Sequence, residues 1–279
     1  MAPKSLLALA LMATSAVARN ALAGADVKSG KVELCGNTEP EDARRAVPRR
    51  SGDELKAFAV DLVFHVVSSS ETEDTVDDAT IKTQIDIVNA AYAPHGISFN
   101  HIETTRTVNA DWSAGSGIDD MKAELRQGGY STLNVYTVGE IGGGVLGFCP
   151  FPVAGASGSP GSAAFLRDGC TINVGTMPGG DAAPYNQGGT LVHEIGHWMD
   201  VYHTFQDGCD PGDRVDDTPA MSSTPGRECD PDKVYDTCPN DPGTDPIHNW
   251  MNYTGDGCWE EFTPGQQERM YAAWETFRQ

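Results

Sequence analysis

Basic side chains are scarce in this sequence of 279 residues, in which 19 Lys and Arg face 40 Asp and Glu and the formal net charge is −21. A nucleic-acid-binding protein presents a basic patch to the phosphates, so the composition argues against a nucleic-acid partner. The excess of carboxylates suits a soluble protein outside the cell that can bind hard cations. We expect such a chain to act as a monomer.

Long apolar runs are also missing, because no segment beyond the first residues approaches the roughly 20 apolar residues of a membrane-spanning helix. At the start, Lys4 precedes an apolar run over 6–12, and Ala18 and Ala23 each end a small-residue cleavage site. This pattern predicts a signal peptide over residues 1–18, with cleavage as late as residue 23. The mature protein is therefore expected to be secreted, extracellular and free of the membrane.

Cysteine is sparse and odd in number, with seven residues. In the oxidising compartment that a signal peptide implies, cysteines pair as disulfides and an odd total leaves one over. Cys35 is the natural odd residue, since it lies far from the others in sequence. Cys149 could pair with Cys170, and the remaining four could form two bridges within one irregular segment: Cys209, Cys229, Cys238 and Cys258.

Residues 19–55 lack a steady apolar period and carry the basic pairs Arg44-Arg45 and Arg49-Arg50. Basic pairs are sites at which a processing protease can cut. The segment is predicted to be either a pro-segment or a flexible arm, and the sequence favours neither.

From residue 56 the pattern changes to alternating strands and helices. Strands are predicted over 58–67, 97–107, 133–138, 145–148 and 171–174, and helices over 80–93 and 118–128. Such alternation is typical of the α/β (α+β) class, here a twisted sheet with two helices. Together with a further helix around residue 193, these elements predict an upper lobe over 56–199.

The chain after residue 206 has a different character. Residues 206–257 are rich in Asp, Gly and Pro and hold too little apolar surface to fold without cross-links. Regular structure returns at Thr263, which forms a capping box with Gln266 and is followed by Pro264 at the first helical position. We therefore predict a lower lobe over 200–279 that is irregular, stapled by disulfides and closed by a C-terminal helix.

The most informative motif is His193-Glu194-Ile195-Gly196-His197, followed by His203. Residues four apart on a helix share a face, so His193 and His197 can bind one metal ion. Glu194 points elsewhere and is placed to take a proton from the attacking water. His203 would lie roughly 15 Å beyond His193 on a straight helix. It can join the other two only if the helix ends before it.

This spacing resembles that of the metzincin zinc proteases, and His203-Thr204-Phe205 resembles their pappalysin branch. The segment Asn249-Trp250-Met251-Asn252-Tyr253 is similar to the methionine turn of metzincins, and Phe262-Thr263-Pro264-Gly265-Gln266 is typical of small secreted pappalysin-like proteases, many of them fungal. The resemblance covers the chain from about Val60 to its last residues. It implies a metzincin catalytic domain over 56–279 and a secreted zinc endopeptidase that cleaves protein or peptide substrates.

The resemblance implies a role for each matching residue. One catalytic zinc would be held by His193, His197 and His203. Glu194 would be the general base, Met251 would form an apolar floor beneath the imidazoles, and Tyr253 would help to stabilise the tetrahedral intermediate.

The resemblance also implies features of the lower lobe. Its disulfides would pair crosswise, Cys209 with Cys238 and Cys229 with Cys258. A calcium ion would lie near the loop after the third histidine, with candidate ligands Asp210, Asp216, Asp217 and Thr218. Hard oxygen donors at close spacing suit calcium, although an acidic loop can also be merely solvated.

Two positions have particular interest. Where metzincins usually place glycine to end the active-site helix, this chain has Asp200. Aspartate tolerates left-handed backbone at a cost of about 1 kcal/mol. On that basis Asp200→Gly should keep zinc and activity.

Cys35, the odd thiol, could ligate the zinc and hold the enzyme latent. The alternative for Cys35 is a free or intermolecularly paired cysteine.

Two other functions stay open from the sequence. One is a zinc hydrolase of gluzincin type whose third ligand is a downstream acid such as Glu260 or Glu261, although the spacing to His203 argues against it. The other is a non-catalytic binding protein on a protease scaffold. The presence of both Glu194 and Tyr253 argues against that, since a binding protein has no need of them.

Overall fold

The described part of the chain comprises residues 35, 55–224, 226 and 228–279 of a computed structural model. The predicted signal peptide over 1–18, or to residue 23, lies outside these residues. Almost all of the predicted pro-segment or arm over 19–55 lies outside them too, apart from Cys35 and Leu55. Everything described belongs to one compact unit, Glu33–Gln279.

β1 (Phe58–Ser68) lies inside the sheet, is rich in β-branched and aromatic residues and is buried over most of its length. It pairs in parallel with β2 (Ile97–Val108) on one side and with β3 (Leu133–Val138) on the other. β5 (Cys170–Asn173) lies parallel to β3, and the two-residue β4 (Gly147–Phe148) is antiparallel to β5. The strand order is β2-β1-β3-β5-β4, so β4 forms one edge of the sheet.

Two helices pack one against the other beside this sheet. α1 (Asp78–Tyr92) begins at Asp77, whose side chain accepts a hydrogen bond from the Thr80 N–H, and it turns an apolar face inward. α5 (Gly189–Trp198) carries the histidine motif and is buried on every side. The Tyr92 hydroxyl donates to the Val192 carbonyl at 2.9 Å, which fixes α1 against α5. Residues of both helices and of the sheet share one apolar core.

The remaining helices are α2 (Ala110–Ser113), α3 (Ile118–Leu125), α4 (Ala163–Leu166) and α6 (Pro264–Ala273). α6 begins with the predicted capping box of Thr263 and Gln266 and continues as one π-helical turn over Trp274–Arg278. α3 is shorter than the predicted helix over 118–128. It ends because Arg126 adopts extended backbone and Gly128 then turns with φ +73°.

The chain between α5 and α6 has little regular structure and is cross-linked. Disulfides join Cys209 to Cys238 and Cys229 to Cys258, the crosswise pairs that the resemblance implied, and a third joins Cys149 to Cys170 beside β4 and β5. Among the described cysteines only Cys35 has no disulfide. The boundary between an upper and a lower lobe at residue 200 stays a prediction. In the described ranges, no helix is both long and apolar enough to cross a bilayer.

Candidate active site

The N-terminal end of α5 is capped by an aspartate that comes after all three histidines in the sequence. Gly188 enters the helix with φ +89° and offers no side-chain cap. Asp256 supplies the cap instead: its Oδ2 accepts hydrogen bonds from the backbone N–H groups of Gln187 at 2.6 Å and Gly189 at 3.3 Å. A carboxylate at this end also suits the helix dipole. Burial raises the pKa of Asp256 to about 6.

The three histidines of the motif converge on one point. The Nε2 of His197 lies 3.1 Å from that of His193 and 3.0 Å from that of His203. The Nδ1 atoms of His193 and His197 face backbone carbonyls, of Trp250 at 2.7 Å and of Val201 at 2.8 Å. Burial lowers the pKa of His193 to about 4 and the pKa values of the other two well below the usual value.

These contacts fit a metal site. The carbonyls at Nδ1 require that this nitrogen carries the proton, so the Nε2 atoms of His193 and His197 present lone pairs. Lone pairs about 3 Å apart with no proton between them repel each other unless a cation lies among them. Neutral imidazoles oriented by backbone carbonyls are the donor set that zinc takes in proteins. The residues present therefore fit a zinc ion.

The chain reverses direction between the second and third histidines as the spacing required. The Val201 N–H donates to the Gly196 carbonyl and the Asp200 N–H to the His197 carbonyl, both at 2.9 Å, and Asp200 has φ +69°. This is a Schellman ending with an aspartate in the position that glycine usually occupies. The turn brings His203 back beside His197, with ring centroids 4.5 Å apart.

Asp200 has a second role that its sequence context did not suggest. Its Oδ2 accepts from Arg269 Nη2 at 2.8 Å, and both side chains are buried. The Arg269 Nε also donates to the Asp200 carbonyl. Asp200→Gly would remove the steric cost of the turn but leave a buried guanidinium without its carboxylate, a large penalty. The expectation that glycine is harmless at this position therefore needs correction.

Glu194 lies beside the edge strand rather than among the histidines. An added Cβ on Gly147 would come within 2.8 Å of Glu194 Cγ, so only glycine allows β4 to approach this closely. The side chain is fully buried, and its Oε1 has no hydrogen-bond partner among the described residues. Burial raises its pKa well above the usual value, and hydrogen bonds from the Cys35 thiol and the Cys149 backbone oppose this shift.

Met251 lies against the motif helix at Gly196. A Cβ on Gly196 would collide with the Met251 sulfur, so the glycine inside the motif makes room for the methionine. The turn that carries Met251 is fixed by Asn249, whose Oδ1 accepts from the Met251 N–H at 2.9 Å. Asn249 is itself paired with Gln266 of α6.

Aromatic rings surround the histidines. Tyr253 contacts His203 edge-on, with centroids 4.7 Å apart, and lies 5.7 Å from the His193 ring. Phe205 stacks on His203 at 5.0 Å, and Trp259 stacks on His193 at 5.8 Å. From the sequence, Phe205 was only part of a family motif, without a role of its own, and Trp259 was not named, because neither belongs to a metal-ligand pattern.

Cys35 lies in the same site. Its backbone forms a parallel β-bridge with Gly147, and its Sγ is 3.4 Å from Glu194 Oε2. The sulfur and one ring nitrogen of each of His193, His197 and His203 all lie within 4.8 Å of one another. Glu260, the alternative third ligand, instead lies 3.9 Å from His248 and is not in this group.

The acidic loop after His203 is arranged differently from the predicted calcium set. Asp217 accepts hydrogen bonds from the Thr263 hydroxyl at 2.7 Å and the Gly265 N–H at 2.8 Å, so both of its oxygens serve α6. Asp213, which the sequence did not single out, is buried and leaves Oδ2 without a partner among the described residues. The buried Thr218 side chain lies beside this carboxylate, and its hydrogen bond acts to lower the pKa of Asp213. Burial raises the pKa of Asp213 to about 7.

Comparison with known proteins gives a consistent result. The family model described as pregnancy-associated plasma protein-A, peptidase family M43, matches residues 133–275. An extracellular metalloprotease of Colletotrichum graminicola is 49% identical over 224 residues, 79% of this chain and 78% of its own length. Extracellular metalloprotease 1 of Coccidioides posadasii is 43% identical over 274 residues, 94% of this chain and 96% of its own.

Solved structures agree with these matches. Mature mirolysin from Tannerella forsythia, in complex with a cleaved peptide, superposes with a TM-score of 0.64 at 25% identity over 78% of this chain and 91% of its own. A promirolysin variant from the same organism gives 0.65 at 26% identity over 85% of each chain. The five-stranded sheet with its helices thus has the metzincin fold. The chain belongs to the pappalysin family of metzincins and is a secreted zinc metalloendopeptidase.

Proposed function

We propose that His193, His197 and His203 hold the one catalytic zinc and that Glu194 is the general base for peptide-bond hydrolysis. The assignment rests on the Nε2 atoms of His193 and His203, each about 3 Å from that of His197, and on the backbone carbonyls that face Nδ1 of His193 and His197. When bound, zinc polarises a carbonyl and lowers the pKa of water to about 7.

Glu194 supplies the proton transfers. Its buried, unpartnered Oε1 is the atom that accepts a proton from the attacking water and returns it to the leaving amine. An extended peptide would bind along β4, where main-chain hydrogen bonds can add a strand to the sheet edge.

Met251 and Tyr253 take supporting roles in this proposal. The methionine sulfur against Gly196 forms the apolar floor beneath the imidazoles. Tyr253, edge-on to His203, lies close enough to the histidines for its hydroxyl to donate to the oxyanion that develops on the substrate.

Cys35 would keep the precursor inactive. Its sulfur lies with the three histidines, and its bridge to Gly147 occupies the edge of β4 that a substrate would use. A thiolate is a good zinc ligand, so the segment blocks both the metal and the substrate groove. The test is cleavage of a peptide by purified precursor with and without Cys35→Ala. An altered precursor no more active than the unaltered one would refute latency.

A calcium ion would stabilise the acidic loop. Asp210, Asp216 and Thr218 remain candidate ligands, and the unpartnered Oδ2 of buried Asp213 adds a fourth. Asp217 becomes a weaker candidate because its oxygens serve α6. We further infer that the enzyme acts as a monomer on protein substrates.

The deciding experiment compares Glu194→Ala with wild type, both activated from the full chain, for casein cleavage and zinc content. We expect equal zinc, close to one ion per chain, and loss of nearly all activity in the variant. If the Glu194→Ala variant held zinc and kept wild-type activity, Glu194 would not be the general base. The companion His203→Ala should lose zinc; if it kept zinc, a downstream acid such as Glu260 would have to be the third ligand.

A further inference from the structure

Two arginines of the C-terminal helix reach the turn that ends α5. Arg269, on α6, bonds the carbonyl and the carboxylate of Asp200. Arg278, on the π-helical turn that follows, donates to the Trp198 carbonyl at 2.9 Å. Both side chains are almost completely buried, 7% and 0% exposed. The turn over residues 198–200 is thus held at both of its ends from one helix.

At the Trp198 end of this turn, Asp168 adds further contacts to Arg278. Arg278 Nη1 donates to Asp168 Oδ1 at 2.7 Å, and the Trp198 indole N–H donates to the same carboxylate at 3.1 Å. The guanidinium also lies 3.8 Å over the Trp198 ring. Trp198 is therefore fixed through its carbonyl, its ring and its indole nitrogen. Arg126 Nη1 lies 3.3 Å from Asp168 Oδ2, so this one carboxylate pairs with two guanidinium groups.

At the Asp200 end of the turn, Arg269 also stacks on an aromatic ring. The Arg269 guanidinium lies 4.4 Å over the ring of Tyr202, the residue just before His203. A planar guanidinium can bind a carboxylate edge-on and a ring face-on together, which an ammonium cannot do. Arg269 thereby contacts the residues on both sides of Val201, through the carbonyl and carboxylate of Asp200 and the ring of Tyr202.

This turn controls two of the three histidines. His203 lies three residues after it, and the carbonyl of Val201, the residue that follows it directly, accepts from Nδ1 of His197 and so sets that ring's tautomer and orientation. Arg278 donates to the Trp198 carbonyl and Arg269 to the Asp200 carbonyl, and carbonyls at a helix end are groups that the helix itself does not satisfy.

We propose that Arg269 and Arg278 are positioning residues for the metal site, through which the C-terminal helix sets how tightly the protein holds its metal. The inference rests on the proposed assignment of His193, His197 and His203 as the ligands. Outer-shell groups that orient metal-binding histidines typically contribute 10–100-fold to metal affinity. These two arginines act one step further out, on the backbone that aims His197 and His203.

The test measures zinc affinity by chelator competition, in the full chain with Cys35→Ala throughout so that the thiol adds no ligand. Arg269→Ala and Arg278→Ala should each bind zinc about 10-fold or more weakly. Arg269→Lys should give an intermediate affinity, because one ammonium cannot reproduce both bonds and the stacking. The visible spectrum of the cobalt-substituted protein should change in the same order, since it reports ligand geometry directly.

Met121→Ala is the matched control, because Met121 is buried in a separate small cluster with Val67, Tyr136 and Val138. It should lower thermal stability while leaving zinc affinity and the cobalt spectrum unchanged. If the arginine variants behave like Met121→Ala, the arginines only stabilise the fold and the inference is wrong. If the Ala variants do not fold, Arg269→Lys decides: wild-type affinity and spectrum would overturn the proposal. If the parent chain itself binds no zinc, the ligand assignment fails instead.

Discussion

Gly147 of β4 and Glu194 of α5 are in direct contact, so that a Cβ on Gly147 would lie 2.8 Å from Glu194 Cγ and 2.9 Å from Oε1. The Glu194 side chain therefore occupies space that any side chain at position 147 of the edge strand would fill. This close approach joins the substrate-binding edge to the general base.

Gly147→Ala should displace the Glu194 carboxylate while leaving the histidines in place. A misplacement of about 1 Å can lower the rate about 100-fold, so we expect kcat to fall by that order with zinc content unchanged. Gly158→Ala is the matched control, since its added Cβ would meet nothing closer than 3.9 Å. Full activity in Gly147→Ala would mean that Glu194 is not constrained by β4.

Gly196→Ala should disturb the methionine turn. The new methyl group collides with the Met251 sulfur and lies 3.1 Å from its Cε, an overpacking that costs about 1–3 kcal/mol. We expect a lower unfolding temperature by calorimetry and weaker zinc retention. The double variant Gly196→Ala with Met251→Ala, which creates space for the methyl, should recover part of the stability. No recovery would indicate that the two residues do not pack as described.

Tyr253→Phe tests stabilisation of the developing oxyanion. Removing one donor of this kind typically lowers kcat about 100-fold or more, and we expect KM to change little because the ring remains against His203. Steady-state kinetics on one peptide substrate separates the two constants. Tyr235→Phe, in the segment between Cys209 and Cys238, controls for loss of a tyrosine hydroxyl as such. Equal kcat in wild type and Tyr253→Phe would contradict the role.

Calcium binding should depend on pH through Asp213. Burial raises the pKa of this carboxyl from 3.8 to about 7, so without a cation the folded state holds its proton more tightly than the unfolded state does. The contribution of Asp213 to stability then falls as pH rises from about 4 to about 7. Calcium needs the ionised form, so the rise in unfolding temperature that calcium causes should grow over the same interval.

The measurement is thermal unfolding from pH 5 to 8 with calcium or with a calcium chelator. Asp213→Asn should abolish the calcium-dependent difference, and Asp232→Asn, an exposed residue of the same segment, should keep it. A difference independent of pH would show that Asp213 is not a ligand.

Local pattern was enough to predict most elements. β3 was predicted over the residues at which it is found, and β1, β2 and α1 differ from prediction by one or two residues at their ends. The three histidines and the break after the second followed from spacing alone, because 3.6 residues per turn leaves His203 no other way to join them. The one-turn helices α2 and α4 were missed, since four residues give no period to detect.

What could not be predicted lies in long-range pairing. Asp168 meets Arg278 across 110 positions and Asp200 meets Arg269 across 69, and nothing near any of these four residues in sequence indicates its partner. The strand order could not be predicted for the same reason, since it depends on which strands β4 and β5 pair with. Asp213 was overlooked among many aspartates because burial, not residue type, distinguishes it.

Several contacts that cap α5 and orient its histidines come from chain that is made after it. The carbonyl that orients His193 belongs to Trp250, the cap at its first turn is Asp256, and the clamp at its last turn is Arg269 with Arg278. A chain emerging from the ribosome has the whole motif long before it has any of these supports. The C-terminal helix therefore supplies the last of the contacts that orient the motif, and the site is complete only when the whole chain is present.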